Sequence, residues 1–288
     1  MKFAFIAEEA ELGIGRLCRV LSVSRAGFYA WKLRPPSVHD VEDERLKVLI
    51  HEAHQRGRRY YGSPRVHQAL KKQHEQISRK RIVRLMQEEG LVGRVRRRFR
   101  CTTDSDHKLA VAENILAREF TAAAPNQRWV GDTTELEIPN GRLFLAAIID
   151  LFSRFVVGWA LSAVNDRHLT IKALDMALRR RCPGAGLLHH SDRGSTYASE
   201  DYQDVLDERG IICSMSRSGN CYDNAAMESW NSTLKSELGE RFESPTDAKT
   251  KIFDYIEVFY NQARMHSSLD YVSPSEFERA ARAAQVAA

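Results

Sequence analysis

Three strand-like runs follow one another between Gln127 and Leu161 with only tight turns between them. Gln127–Ile138 is rich in β-formers, Pro139-Asn140-Gly141 makes a turn, and Leu143–Ile149 is almost continuously apolar. Asp150–Arg154 makes a second turn before Phe155–Leu161. Runs this close have no room for a crossover, so they pair as an antiparallel meander. The period of the pattern then changes. Helices are predicted over 166–181, 199–209, 223–238 and 246–263, with short strands at Leu187–His190 and Gly210–Ser214. Strands reached through helical crossovers lie parallel to their neighbours. The chain is therefore expected to fold as α/β, with a five-stranded mixed sheet and flanking helices.

The first hundred residues read as helices only. A helical pair is predicted over 12–32, broken at Ser22-Val23 and restarted by Ser24 as a cap, with Pro35-Pro36 ending the unit. A helix follows over 42–56. Ser63-Pro64 opens another, with Val66, Ala69 and Leu70 inward, and His74-Glu75-Gln76 turns the chain. Ser78 caps the next helix, where Ile82, Leu85 and Met86 point inward and Gly90 ends it. Two short capped helices, the second basic on its outer face, make a helix-turn-helix pattern. The expected division is an N-terminal helical segment over 1–38 and a basic helix-turn-helix domain over 39–100. A linker follows over 101–125, with one short helical stretch at 110–119. A catalytic core then spans 126–240, and a C-terminal helix and tail over 241–288 pack on it.

Charge separates the same halves. Arg56 to Arg100 holds fifteen basic residues against three acids, a net +12, whereas the whole chain carries only +5. The remainder is therefore net acidic. Such a dense positive segment calls for a polyanion, and Arg65, Arg79, Lys80, Arg81, Arg84, Arg96, Arg97 and Arg98 are its candidate nucleic-acid contacts. No apolar run reaches membrane-spanning length, and the opening MKFAFIAEEAE has acids where a signal peptide is apolar. Five cysteines without a CxxC pair argue against a disulfide framework. A cytoplasmic, nucleoid-associated protein is expected.

Three acids stand out by position. Asp132 lies inside the first strand, in Trp129-Val130-Gly131-Asp132-Thr133-Thr134, where a carboxylate is costly unless it is paired or holds a metal. Asp192 follows the fourth strand, at the strand end where α/β sheets place ligands. Glu228 lies on the 223–238 helix, with Lys235 two turns later on the same face. Thirty-five residues separate Asp192 from Glu228. Carboxylates suit hard cations, and two magnesium or manganese ions about 4 Å apart serve both the attacking and the leaving oxygen of phosphodiester transfer. Asp132, Asp192 and Glu228 are the expected catalytic and metal-binding residues, and Lys235 an expected DNA contact.

The segments WVGDTT, IDLFSRFVVGW, HHSDRGSTY, DNAAMESWNSTLKSE and YNQARMHSSLDYVSPSEF occur in order. With the 35-residue spacing, and with RRYYGSPRVHQAL and RKRIVRLMQEEGLVGR upstream, they make the chain resemble OrfB-type transposases of bacterial insertion sequences. Those proteins carry a retroviral-integrase-like, ribonuclease H-like core with a DDE motif. The resemblance implies that Asp132, Asp192 and Glu228 bind metal and that Lys235 is the basic residue after the glutamate. It also implies cleavage at element ends, 3′-OH strand transfer, action as a homo-oligomer on DNA, and partnership or frameshift fusion with an upstream helix-turn-helix product. Gly131 departs from the usual pattern, where a bulkier polar residue is common, and Trp230 stands where phenylalanine is common. Two further readings stay open here: a ribonuclease H-type nuclease that only hydrolyses, and a non-catalytic DNA-binding regulator.

Other residues receive plainer readings. Asp150 is expected to cap its turn. His189 and His190 are expected to flank Asp192, since their spacing to Cys182, Cys213 and Cys221 fits no zinc pattern. Glu237, nine residues past Glu228, is expected to be a surface charge. Arg264 and His266 are left between a DNA-facing rim and a packed clasp. Trp129, Trp159, Phe144 and Phe155 are assigned to the core.

Overall fold

In the computed structural model, which describes residues 2–94, 109–139, 141–217 and 220–287, the meander forms as expected. β1 (Arg128–Ile138), β2 (Gly141–Asp150) and β3 (Val156–Ser162) are antiparallel, and β4 (Leu188–Ser191) and β5 (Ile212–Met215) extend the sheet in parallel. The strand order is β3-β2-β1-β4-β5. This is the mixed α/β, ribonuclease H-like sheet. Strand alternation divides it into two faces. Trp129, Ala146, Ile148 and Val157 pack on one side with residues of α7 (Arg167–Arg181) and α8 (Glu200–Glu208). A Cβ at Gly158 would lie 2.2 Å from the Ala173 carbonyl oxygen, so glycine is what lets α7 seat on β3.

The opposite face presents Val130, Leu136, Leu145, Ala147 and Ile149. It is covered by α9 (Ala225–Glu237), through Met227, Trp230 and Leu234, and by the C-terminal layer. There the predicted 246–263 helix is in fact α10 (Pro245–Phe253) followed by a π-helical stretch, Asp254–Tyr260. The wider winding turns Tyr255, Ile256, Phe259 and Tyr260 all into the core. After it come α11 (Pro274–Ala287) and a short 3-10 turn that precedes it, Ser267–Leu269.

Upstream lie α1 (Lys2–Glu8), α2 (Ile14–Val20) and α3 (Arg25–Leu33), closed around Ile6, Leu17, Cys18 and Phe28. The Ser24 cap is made, accepting from the Gly27 N–H at 2.9 Å; α1 precedes the predicted pair. α4 (Val38–Arg56) starts four residues earlier than 42, because Ser37 and Asp40 form a capping box. α5 (Ser63–Lys72) and α6 (Arg79–Glu88) are the predicted helical pair, with Ser78 capping α6. Their apolar faces are continuous with the α9 side of the sheet.

The expected helix in the linker does not form. Residues 110–119 form no helix. The Ile115 and Leu116 amides donate to Ser214 Oγ at 2.9 and 3.1 Å, and Leu116 is buried. Those bonds to β5 replace the helical ladder that composition alone had suggested.

Candidate active site

The register of the sheet brings the first two acids level. Val130 pairs with His190 across β1 and β4, and each acid lies two residues further along its strand direction. Asp132 is on the α9 face of β1, the face of Val130 and Leu136. Asp192 is the first residue after β4, and its Oδ1 accepts from the Gly194 N–H at 2.9 Å, which fixes the turn. α9 crosses this region. Asn224 at its start donates to the Gly131 carbonyl oxygen at 3.3 Å, and Asn231 donates from Nδ2 to Asp132 Oδ2 at 2.7 Å. Glu228 is one turn before Asn231 on that helix.

The three carboxylates feel one another. Burial pushes the Asp132 carboxyl well above the usual carboxylate range, the neighbouring Asp192 charge raises it further, and Glu228 adds to it. The Asn231 amide works in the opposite direction. Asn231 Oδ1 and Asn224 Oδ1 are buried without a hydrogen-bond partner. Clustered acids and orphaned acceptor oxygens on one side of a helix suit a hard divalent cation and its bound water. Among the described residues, no three His, Cys, Asp or Glu side chains form a ready-made cage for one ion. Magnesium does not need one, since it is held by one or two carboxylates together with water and substrate phosphate. Lys235 is mostly buried on α9, with Nζ 3.8 Å from Glu240 Oε2.

Behind the acids the histidines are structural. His189 Nε2 lies 2.7 Å from the Tyr202 hydroxyl, and His190 bonds Ser214 Oγ at 2.8 Å and Ser216 Oγ at 3.2 Å. Burial holds His189 down to about 3 and His190 to about 4, so both rings are neutral near pH 7. The departure at Gly131 has a local cause. A Cβ there would lie 3.0 Å from His189 Cε1, so the ring and a larger residue compete for the same space. Asp150 caps its turn by accepting from the Phe152 amide at 2.8 Å, and it also accepts from the Asn126 amide and the Trp129 indole.

Two elements of the arrangement are not visible in sequence patterns. Asp223 is fully buried at the approach to α9 and receives Arg217, Arg118 and Asn114 side chains at 2.8 Å each. Those bonds, Arg217 first, hold its carboxyl far below the usual range and tie the 114–118 segment to the helix that carries Glu228. Glu237 is not a surface charge. It is 5% exposed, with the Arg264 fork at 2.6 and 2.8 Å and the Tyr255 hydroxyl at 2.8 Å. Half a helical turn from Glu228 does lead away from the carboxylates, but onto the C-terminal layer rather than into solvent. Arg264 and His266 are accordingly buried in a packed clasp.

The basic residues divide by surroundings. Arg79 and Lys80 are exposed on α6. Arg81 and Arg84 pair with Asp43 at 2.7 and 2.6 Å, and Arg84 also with Glu88. Arg65 points toward the C-terminal layer, donating to the Met265 carbonyl oxygen at 3.0 Å with Glu237 3.9 Å away. Arg58 joins that contact through Asp254, and the Tyr61 hydroxyl accepts from the Met265 amide at 2.9 Å. Arg96, Arg97 and Arg98 lie outside the described residues.

A mixed five-stranded sheet with acids on a central strand, a strand end and a covering helix defines the class of integrase-type cores. The integrase core domain family matches residues 122–221, a second integrase core domain family matches 209–274, and an HTH-like domain family matches 41–99. The chain is 45% identical over 263 residues to the uncharacterized 31 kDa protein of insertion element IS600 from Shigella sonnei, covering 91% of this chain and 97% of that one. It is 38% identical over 283 residues to the transposase InsF of insertion sequence IS3A from Escherichia coli K12, covering 96% and 98%. Among solved structures, an HTLV-2 integrase catalytic core domain in complex with magnesium is 18% identical, covering 54% of this chain and 98% of that one, with a TM-score of 0.42. The chain belongs to the insertion-sequence transposase family of the InsF type. No helix among the described residues is long and apolar enough to cross a membrane.

Proposed function

We propose that this protein cuts DNA at the ends of an insertion element and joins the freed 3′-OH to a second DNA strand, with Asp132, Asp192 and Glu228 as the metal-binding catalytic residues. The observation that carries this reading is geometric: the β1–β4 register sets Asp132 level with Asp192, and the helix that carries Glu228 holds Asp132 through Asn231; the raised Asp132 carboxyl agrees with it. Acids held together against their own repulsion call for cations. Two divalent ions, magnesium or manganese, when bound supply an activated oxygen nucleophile and stabilise the leaving oxygen.

The chain's own residues do the rest. Asp132 feels the charges of both other acids and would be a metal ligand, with Asn231 fixing one of its oxygens. Asp192 is oriented by the Gly194 amide. Lys235 offers a point charge for a nearby phosphate. In the first step water attacks the phosphodiester and the 3′-oxygen leaves. In the second that 3′-OH attacks a target phosphodiester, whose own 3′-oxygen leaves, so the number of phosphodiester bonds is conserved. DNA is gripped by the helix-turn-helix unit, with Arg79 and Lys80 as its outward cations, Arg81 and Arg84 beside them and Arg96, Arg97 and Arg98 following. Arg65 serves instead to dock that unit on the core. Joining two ends calls for at least two protomers.

The test is a strand-transfer assay on element-end DNA with Mg²⁺. Wild type yields joined strands and Asp192→Asn does not; full joining by the variant sinks the assignment. Hydrolysis without any joined product would instead support a nuclease.

A further inference from the structure

On the side of α9 away from Glu228 there is a cavity of about 310 Å³. This is at the lower end of the range for small-molecule sites, about 300–1,000 Å³. Helical spacing separates it from the carboxylates. Ala226, Ser229, Trp230 and Thr233 line the cavity, whereas Glu228 and Asn231 share the other side. Half-buried Phe120 stands at the cavity's rim, the edges of Trp230 and Tyr260, which pack edge-to-face on each other, form its floor, and Arg154 lies beside them.

Among the described basic groups of the lining, Arg154 is the guanidinium with no contact ion pair, the Asp150 carboxylate acting on it only at longer range. Arg264 is neutralised by Glu237. Burial, reinforced by the Arg264, Arg65 and Arg154 charges, holds His266 well below its ordinary value and therefore neutral. Arg154 donates to the Phe120 carbonyl oxygen at 2.9 Å and forms no ion pair among the described residues. The Trp230 indole N–H is buried and has no acceptor. A buried donor without a partner is rare and asks for an explanation.

We infer that this cavity receives a single unpaired nucleotide of the DNA substrate, with its base against the Phe120, Trp230 and Tyr260 lining and its phosphate on the Arg154 guanidinium. The inference rests on the transposase reading, since it takes DNA as the substrate. Aromatic lining accepts any base, because every base has a π-face. A guanidinium fork matches a phosphate and stays charged when partly buried. The small Ala226 and Ser229 side chains leave room for a sugar. A nucleotide held here is drawn out of its duplex behind the same helix that carries Glu228, which fixes the strand relative to the acids.

The experiment uses the full chain and short oligonucleotides carrying 5-iododeoxyuridine at one position each, irradiated and mapped by peptide mass spectrometry. Total DNA binding is measured in the same mixtures. The expected result is an adduct on Phe120, Trp230 or Tyr260. Its yield should drop roughly tenfold in Arg154→Gln and in the cavity-filling Ser229→Phe, the order that a lost base stack carries. Ser229 is exposed, so its variant keeps the fold testable. DNA bound normally but without adducts in the cavity, or with adducts indifferent to both variants, overturns the inference alone. Absence of DNA binding overturns the transposase reading and the inference with it.

Discussion

Asn231 Nδ2 lies 2.7 Å from Asp132 Oδ2, so the helix that carries Glu228 also holds the carboxylate of the central strand. Groups that orient metal ligands typically change affinity 10–100-fold when removed. Asn231→Ala is expected to raise the Mg²⁺ concentration needed for half-maximal strand transfer by roughly tenfold or more, with little change in DNA binding. A Mg²⁺ titration of the variant checks this, and an unchanged midpoint contradicts it.

Repulsion among the acids predicts a stability signature. Without divalent ions, Asp132→Asn should melt at a higher temperature than wild type, because it removes a carboxyl whose charged form is penalised by burial and by Asp192 and Glu228. Saturating Mg²⁺ should raise the wild-type Tm and narrow that gap. Thermal melts with EDTA and with Mg²⁺ decide it.

His189 gives the acid limb of stability. Its folded value is about 3 against an ordinary 6.5, chiefly through burial. The unfolded chain therefore binds the proton first as pH falls. The contribution is fully present above about pH 6.5 and is lost as pH drops toward 3, at up to about 1.4 kcal/mol per pH unit. Urea midpoints between pH 7 and pH 4 should fall less steeply in His189→Gln than in wild type.

The buried Glu237–Arg264 pair should matter far more than any surface pair. Glu237→Gln leaves the Arg264 guanidinium uncompensated, and breaking such a pair costs about 3–5 kcal/mol. The double variant Glu237→Leu/Arg264→Met should regain much of the loss. Urea denaturation of the three proteins tests this, and a single variant as stable as wild type rejects it.

On the DNA-binding side, Arg79→Ala and Lys80→Ala should each reduce the slope of log affinity against log salt by about 0.9, one phosphate contact apiece. Arg65→Ala should instead lower stability and leave the slope unchanged, because Arg65 is engaged with Met265 and lies near Glu237.

The sheet was legible in the sequence because tight turns and an apolar run leave few alternatives, and so was the placement of Asp132 in a strand, Asp192 after a strand and Glu228 on a helix; their joint role is the proposal that ligand exchange at Asp192 tests. Glu237 was misread because a helical wheel gives a direction and not what waits there; the layer of Tyr255 and Arg264 is distant in sequence. The 110–119 segment was misread because its backbone partner is the hydroxyl of Ser214, almost a hundred residues on. The latch at Asp223 was invisible for the same reason: Asn114 and Arg118 meet it only in three dimensions. Gly131 read as a departure until the His189 ring beside it supplied the cause.

Ligand exchange at Asp192 tests metal coordination most directly. A thiolate is a poor ligand for magnesium and a better one for manganese. Strand transfer by Asp192→Cys should be lost in Mg²⁺ and partly restored in Mn²⁺, while wild type works in both. Wild-type activity of Asp192→Cys in Mg²⁺, or strand transfer by wild type in EDTA, would contradict a carboxylate-held metal centre.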